Sequence, residues 1–465
     1  MHPTAVNPIY LEAFKTESLR STNLVEPIAK ITQAAITAVD PTEAVKQVLQ
    51  LEGTRLIIAD KQYNLSDLHE VFLVGVGKAC VPMGLAVVEI INEHLSEGIL
   101  ITKEGHLFTD KDQFPSKLAI FEASHPLPDK RSVNATHKII NLLNRTQGDD
   151  LVICLISGGG SALLTAPTAD MSLNDLRTLT SILLASGATI NEINCLRKHL
   201  SLIKGGNLAG HATPAFLSTL ILSDVVGDPL DVIASGPTVP DRSTYRDALQ
   251  VLNKYRIYDE IPSKIINHLQ RGLAGEIPET PKPHHQAFNK TQNYIIGNNY
   301  LAAQAAIYQA QAEGYNTLLL TTFLQGEARE AGQFISSLAR QIAKTDQPVP
   351  RPACVVIGGE TTVTIRGEGS GGRNQELALS TVGNLSTIPN ITLVTFATDG
   401  GDGPTDAAGA VVTNASLNRA ASLGLDPDKY LDKNDSYNFF ESLGDLIKTG
   451  PTQTNVNDLI FLFLH

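Results

Sequence analysis

The feature that most constrains this chain is a series of short, continuously apolar runs that alternate with helix-like segments. Residues 71–74 and 151–156 are such runs, residues 218–222 form a further strand-like run, and each leads into a turn rich in glycine, serine or aspartate. Strands that are apolar on both faces are typical of a parallel sheet covered by helices on both sides. The pattern therefore predicts an α/β fold.

The length and one interruption predict two α/β domains. The chain has 465 residues, and the alternation restarts after residues 275–290, a proline-rich stretch without apolar periodicity. We expect a Rossmann-like N-terminal domain at residues 1–290 and a C-terminal domain at residues 291–465, both with mainly parallel sheets. A cleft between domains is a common ligand site, so we expect the active site there.

The composition argues against nucleic-acid and membrane binding. The net charge is −12 and the pI is about 5.5, whereas a general nucleic-acid binder needs a basic surface. No apolar run approaches the ~20 residues that span a bilayer, and no signal-peptide pattern is present. We therefore expect a cytoplasmic protein.

The cysteines lack zinc spacing and are expected to be buried, reduced thiols: Cys80, Cys154, Cys195 and Cys354.

Two glycine-rich turns have the features of anion-binding sites. In open α/β sheets, ligands collect beyond the carboxyl ends of the strands. Gly77 and Lys78 follow the run at 71–74, where the start of a helix favours negative charge. The spacing differs from a Walker P-loop, and a tight turn with a surface lysine is the alternative. The second turn offers backbone donors and hydroxyls, unless packing alone requires its glycines: Ser157, Gly158, Gly159, Gly160 and Ser161.

Basic and acidic residues follow in the same region. Arg197 and Lys204 could bind an anion or form a solvated helix face, and His199 is more typical of a packed or capping residue. The sequence then places one group of aspartates near residue 228 and another near residue 402. Clustered carboxylates beside anion turns indicate Mg²⁺, although capping aspartates are the alternative. The candidate aspartates are Asp224, Asp228, Asp399 and Asp402.

A third glycine cluster stands before an arginine. Gly369, Gly371 and Gly372 precede Arg373 and Asn374, at the start of a predicted helix. A guanidinium group there can meet a phosphoryl group or a carboxylate. We expect both this arginine and Lys78 at exposed helix starts. The whole set of turns, cations and carboxylates is typical of phosphoryl transfer.

Seven ordered motifs resemble class II glycerate kinase, the glycerate 2-kinase family with a C-terminal MOFRL domain. The resemblance implies transfer of phosphate from ATP, with Mg²⁺ or another divalent cation, to the 2-hydroxyl of D-glycerate, giving 2-phosphoglycerate and ADP. It implies that Lys78 and Arg373 are the active-site lysine and arginine. The motifs are VGVGKAC, SGGGSALL, LRKHLSLIKGGNLA, LSDVVGDPLDVIASGPTVPD, GGETTVTIRGEGSGGRNQELAL, TDGGDGPTDAAGAVV and NDSYNFFESLGDLIKTGPTQTNVNDL.

These inferences give one set of expected roles. Lys78, Arg373 and Asp224 are the candidate catalytic residues, and the partners are small molecules, with a homodimer as a further expectation. Which aspartate accepts the hydroxyl proton and which binds metal stays open. Candidate substrate or phosphate ligands are Gly77, Ser157, Gly158, Gly159, Gly160, Ser161, Arg197, Lys204 and Asn374; candidate metal ligands are Asp228, Asp399 and Asp402.

Two other functions compete with the kinase. Some relatives carry a hydroxypyruvate reductase label, which would need NAD(P)H, but Cys80 stands where a dinucleotide-binding turn needs a third small residue. A non-catalytic sensor of an anionic metabolite is the other alternative. It would have little use for two groups of aspartates.

Overall fold

The structure, a computed structural model, describes residues 7–20, 22–107 and 114–465. It divides into two compact units. The N-terminal unit is Pro41–Ile296, and the C-terminal unit consists of the residues up to Asp40 together with Gly297–His465. No helix in the described part of the chain is both long enough and apolar enough to cross a membrane.

The strands and helices alternate along most of the chain. The strands are β1 Leu49–Glu52, β2 Arg55–Ile58, β3 Lys61–Asn64, β4 Val71–Val76, β5 Leu95–Lys103, β6 Leu118–Ala123, β7 Leu151–Ile156, β8 Phe216–Leu222, β9 Thr291–Gly297, β10 Asn316–Leu324, β11 Ala353–Gly359, β12 Ile391–Ala397, β13 Gly409–Thr413, β14 Leu446–Ile447 and β15 Asp458–Leu464. The helices are α1 Pro8–Ala13, α2 Val25–Thr37, α3 Pro41–Val48, α4 Cys80–Ile91, α5 Lys130–Leu143, α6 Gly160–Leu163, α7 Leu173–Ala185, α8 Ile190–His199, α9 Asn207–Ala212, α10 Tyr245–Tyr255, α11 Ser263–Leu273, α12 Asn299–Ala312, α13 Ala328–Thr345, α14 Arg373–Leu385, α15 Ser416–Ser422, α16 Pro427–Asp432 and α17 Ser436–Leu443.

The N-terminal unit is built on a six-stranded sheet in the order β6-β5-β4-β7-β8-β9. The pairs from β6 to β8 are all parallel. Every residue of β4 and β7 is buried, as expected for strands covered on both faces. Because the pairing is parallel, the turns after β4, β7 and β8 lie at one edge of the sheet.

The C-terminal sheet has the order β10-β11-β15-β12-β13-β14 and departs from the prediction of mainly parallel strands. Only β10 and β11 pair in parallel, whereas β15 runs antiparallel to both β11 and β12. Every residue of β12 and β15 is buried. A strand buried on both faces reads as a continuous apolar run in either direction, so the sequence pattern could not reveal this antiparallel return.

The compact units also differ from the predicted boundaries at two places. β9, predicted as the first strand of the second domain, is the edge strand of the N-terminal sheet. The described residues up to Asp40 belong to the C-terminal unit, where Ser18 Oγ donates to Asp445 Oδ2 at 2.8 Å and Thr454 Oγ1 donates to the Val39 carbonyl at 2.6 Å. The apolar face of an early helix such as α2 does not reveal which sheet it will cover.

Candidate active site

The turns after β4 and β7 are in direct contact at the edge of the N-terminal sheet. The Lys78 amide donates to the Gly158 carbonyl at 2.9 Å, and the Ala79 amide donates to Ser157 Oγ at 3.0 Å. Gly77 has φ +123°, and a Cβ atom there would lie 2.2 Å from Ser157 Oγ. Only glycine allows both that conformation and that approach.

Asp224 and His125 border the second turn. A Cβ atom on Gly158 would lie 2.3 Å from Asp224 Oδ2, and one on Gly159 would lie 3.0 Å from His125 Cδ2. His125 was not among the predicted site residues, although its place two residues beyond β6 puts it at the same sheet edge. Burial, Lys78 and Lys103 lower the pKa of His125 to about 4, so its imidazole is neutral at pH 7.

Two cations near this turn have no partner in the described residues. The ammonium group of Lys78 and the guanidinium group of Arg197 are both half-buried, and neither forms a hydrogen bond or an ion pair with any described side chain. Burial lowers the pKa of Arg197. A partly buried cation without a counter-charge is costly, and an anionic ligand would remove that cost.

Lys204, in contrast to these two cations, forms hydrogen bonds within the protein. Its buried ammonium group donates to the Ser161 carbonyl at 2.6 Å, to the Leu164 carbonyl at 3.0 Å and to Ser161 Oγ at 3.3 Å. Burial and the neighbouring Arg197 lower its pKa to about 7. These contacts use the three donors that a lysine has, so Lys204 fixes the turn rather than reaching into it.

His199 is a packed residue, as the sequence suggested. Its Nδ1 lies 2.7 Å from the Cys195 carbonyl and its Nε2 lies 3.0 Å from Glu279 Oε2, so both ring nitrogens face acceptors. Burial lowers its pKa, but the hydrogen bonds to Cys195 and Glu279 outweigh burial and raise the pKa to about 9. The fold therefore holds a protonated imidazolium at neutral pH.

We expect the stability of the protein to fall as the pH rises from about 6.5 through about 9. The pKa of a histidine is about 6.5 in an unfolded chain, and it is about 9 for folded His199. The imidazolium thus stabilises the fold fully below the first value, and its contribution is lost above the second. The expected loss is about 1–3 kcal/mol, measured as a lower urea midpoint at the higher pH. Glu279→Gln keeps an acceptor but removes the charge, so an unchanged pH effect in that variant would contradict the assignment.

The glycines before Arg373 are required by packing within the C-terminal unit. A Cβ atom on Gly372 would lie 2.2 Å from Asp402 Cγ, and one on Gly371 would lie 2.1 Å from Ser436 Oγ. A Cβ atom on Gly369 would lie 2.4 Å from Asp435 Cβ. The group that comes close to this backbone is therefore the protein's own chain.

Arg373 is paired and half-buried, so the expectation of an exposed helix start is wrong. Its Nε and Nη2 donate to the two carboxylate oxygens of Asp458 at 2.5 and 3.1 Å, and its Nη1 donates to Glu360 Oε1 at 2.6 Å. The Arg373 side chain is 31% exposed and that of Asp458 only 6%. Neither acid was predicted as a partner of Arg373, because Asp458 and Glu360 lie 85 and 13 residues away along the chain.

Asp402 caps the start of α14, which is the role that the sequence left open as the alternative to metal binding. Its oxygens accept hydrogen bonds from the Asn374 amide at 3.1 Å and the Gln375 amide at 2.9 Å. Asp402 is 2% exposed, and its burial together with nearby Asp458 raises its pKa to about 7. Asn374 is equally buried and its amide side chain faces the same carboxylate. Both side chains are therefore almost fully enclosed by the protein.

The remaining predicted metal ligands are better exposed. Asp399 is half-buried and accepts one hydrogen bond, from the Gly401 amide at 3.1 Å. Asp228 is half-buried in a turn with φ +54°. Within the described ranges, the groups close enough to share an ion are those of His69, Glu70 and Asp150, which were not predicted. Asp150 already accepts backbone amides from Glu70 at 3.1 Å and Gln147 at 2.6 Å.

Two family models match the chain. One is described as a domain of unknown function and matches residues 27–270. The other is the MOFRL family, and it matches residues 353–458. The second match lies within the C-terminal unit and includes Arg373 and Asp402.

Several known proteins are similar over nearly the whole chain. A glycerate 2-kinase of Pyrococcus horikoshii is 40% identical over 427 residues, which are 92% of this chain and 94% of the relative. A D-glycerate 2-kinase of Thermotoga maritima is 41% identical over 447 residues, 96% of this chain and 99% of the relative. A protein of Agrobacterium vitis named putative hydroxypyruvate reductase is 43% identical over 389 residues, 83% and 85% of the two chains.

A solved structure is also similar to this chain over nearly its whole length. The crystal structure of a glycerate kinase from Thermotoga maritima has a TM-score of 0.83 and 41% identity, and covers 94% of this chain and 98% of that chain. Identity and coverage at this level show common descent along the full length, and so the chain belongs to the glycerate 2-kinase family with a C-terminal MOFRL domain.

Proposed function

We propose that this protein transfers the γ-phosphoryl group of ATP to the 2-hydroxyl of D-glycerate, giving ADP and 2-phosphoglycerate. The names of the full-length relatives support glycerate as the acceptor. The observation that carries the proposal is the ammonium group of Lys78, which has no partner among the described residues and lies beside the joined turns after β4 and β7. Phosphoryl transfer depends mainly on positioned donors and cations of this kind.

We assign the binding of anionic oxygens to Lys78 and Arg197. Both groups can donate to phosphoryl or carboxylate oxygens without breaking an existing contact in the described structure. The glycines at positions 158 and 159 make room for Asp224 and His125 beside this turn. The fixed contacts of Lys204 keep this turn in place and so pre-organise the site.

We assign the acceptance of the hydroxyl proton to Asp224. Its carboxylate lies against Gly158, at the end of β8, on the same sheet edge as Lys78. A carboxylate within hydrogen-bond reach of the acceptor hydroxyl can orient it and remove its proton as the phosphoryl group transfers. His125, neutral at pH 7, borders the same turn and adds no charge to it.

Of the three predicted metal ligands, two keep the features of a ligand for a divalent cation. Asp402 fits least well, because it is 2% exposed and each of its oxygens already accepts a backbone amide. Asp399 in the C-terminal unit and Asp228 in the N-terminal unit keep the character of metal ligands, since Mg²⁺ takes one or two carboxylates together with substrate phosphates. When bound, the ion would neutralise phosphate charge.

The free, buried state of the four cysteines supports a reducing compartment, and we place the enzyme in the cytoplasm. That state also confirms the sequence prediction of buried thiols. Cys80 Sγ lies 3.3 Å from the Ile101 carbonyl and fills the position that a dinucleotide-binding turn gives to a small residue. This contact disfavours the reductase alternative.

An assay with the purified protein tests the proposal. ATP, Mg²⁺ and D-glycerate should yield ADP and 2-phosphoglycerate in equal amounts. Formation of 3-phosphoglycerate, or no ADP above background, would contradict it. Hydroxypyruvate with NADH tests the reductase alternative, and calorimetric binding of D-glycerate without turnover would favour the sensor.

A further inference from the structure

The N-terminal unit contains a cavity with a volume of about 410 Å³, lined by residues outside the glycine turns. Its wall is formed by one face of α8 and by the segment around residues 229–243. None of its lining residues belongs to the predicted catalytic, phosphate or metal sets. The polar residues used below are Asn191, Asn194, Lys198, Asp231 and Arg242.

A buried lysine with spare donors lies in this wall. Lys198 is 5% exposed, donates one hydrogen bond to Asp241 Oδ1 at 3.3 Å and lies 3.7 Å from Asp231 Oδ2. Asp241 is already satisfied by the Ser243 amide at 3.1 Å and Thr280 Oγ1 at 2.9 Å. The charge of Lys198 is paired with both carboxylates, but two N–H groups of its ammonium have no acceptor within hydrogen-bond distance among the described residues and are available to a ligand.

Two more donors and one acceptor line the same cavity. Asn194 is 3% exposed; its Oδ1 accepts from Ser235 Oγ at 3.0 Å, and its amide N–H₂ has no acceptor in the described ranges. Arg242 is exposed and forms no ion pair with a described residue. The carboxylate of Asp231 is 59% exposed and can accept a hydrogen bond.

We propose that this cavity binds a small hydroxycarboxylate, in a site separate from the one at the glycine turns. The ligand's carboxylate would accept from Lys198, Asn194 and Arg242, and its hydroxyl would donate to Asp231. The volume lies within the range usual for small-molecule sites. The inference does not depend on the proposed function, because it uses none of the residues assigned to catalysis.

Hydrogen bonds connect this cavity to the site at the glycine turns, so the experiment must distinguish binding in the cavity from binding at those turns. Ser235 Oγ, which donates to Asn194, also lies 2.8 Å from Ser161 Oγ in the turn after β7. A local readout is available, because Cys195 lines the cavity and is 7% exposed, whereas the other three cysteines are at most 1% exposed.

The experiment measures alkylation of Cys195 by iodoacetamide, using peptide mass spectrometry and the full-length protein. Saturating D-glycerate should slow alkylation several-fold in the wild type and equally in Lys78→Met. Arg242→Glu, a change at an exposed and unpaired residue, should abolish the protection. Glycerol, which lacks the carboxylate, should not protect.

Three results would overturn the inference: no protection of the wild type by D-glycerate, protection that survives Arg242→Glu, or protection that is lost in Lys78→Met. Asn191→Asp provides a second variant at the rim, and it should weaken the protection in the same direction. Failure of the proposed kinase function would appear separately, as absent ADP formation, and leaves the alkylation result unchanged.

Discussion

Lys78→Met should lower the turnover of glycerate phosphorylation about 10²–10³-fold, the usual effect of removing one preorganised donor. The ammonium group of Lys78 has no partner among the described residues, so the substitution breaks no ion pair of the fold. Methionine keeps the length of the side chain. The loss should therefore appear in kcat, measured by coupled ADP detection, with the urea midpoint unchanged.

Lys130→Met is the matched control. Lys130 opens α5, is exposed and has no partner among the described residues, so it shares the location of Lys78 at a helix start without the neighbouring glycine turns. Its substitution should leave kcat within about twofold of the wild type, as is usual for a surface change. Equal losses in the two variants would show that the effect of Lys78 is not local.

The arrangement of the N-terminal glycine turns could be predicted well because it depends on local signals. The turns at 77–78 and 157–161 each follow a buried run, and parallel strands bring such turns to one edge. The contact between the Lys78 amide and the Gly158 carbonyl confirms that step. The same rule applied to β6 would have found His125.

The C-terminal site could be predicted less well because it depends on pairings between distant residues. The acids that bind Arg373 come from the ends of β11 and β15, and the sequence pattern does not show that β15 inserts beside β11. The glycines before α14 were interpreted as room for a ligand, whereas they make room for Asp402 and Ser436. A glycine signal shows that something approaches the backbone, but not what approaches it.

Arg373→Met should both abolish most activity and destabilise the protein. The substitution leaves the buried carboxylate of Asp458 without its bidentate partner, which costs about 3 kcal/mol. It also removes the residue that the family resemblance identifies as the active-site arginine. The urea midpoint and kcat should therefore fall together, and the single variant cannot separate the two roles.

The double variant Arg373→Met with Asp458→Asn separates them. Asparagine removes the buried charge, so the double variant should regain most of the lost stability, with Asp458→Asn alone as its control. If Arg373 meets a phosphoryl or carboxylate group of the substrate, kcat should stay about 10²-fold or more below that of the control. Arg373→Lys should recover only part of it, because an ammonium group cannot reproduce the guanidinium fork. A double variant that regains both stability and kcat would show that Arg373 acts only by holding Asp458 and Glu360, and that the unpaired cations of the N-terminal unit bind the anions without it.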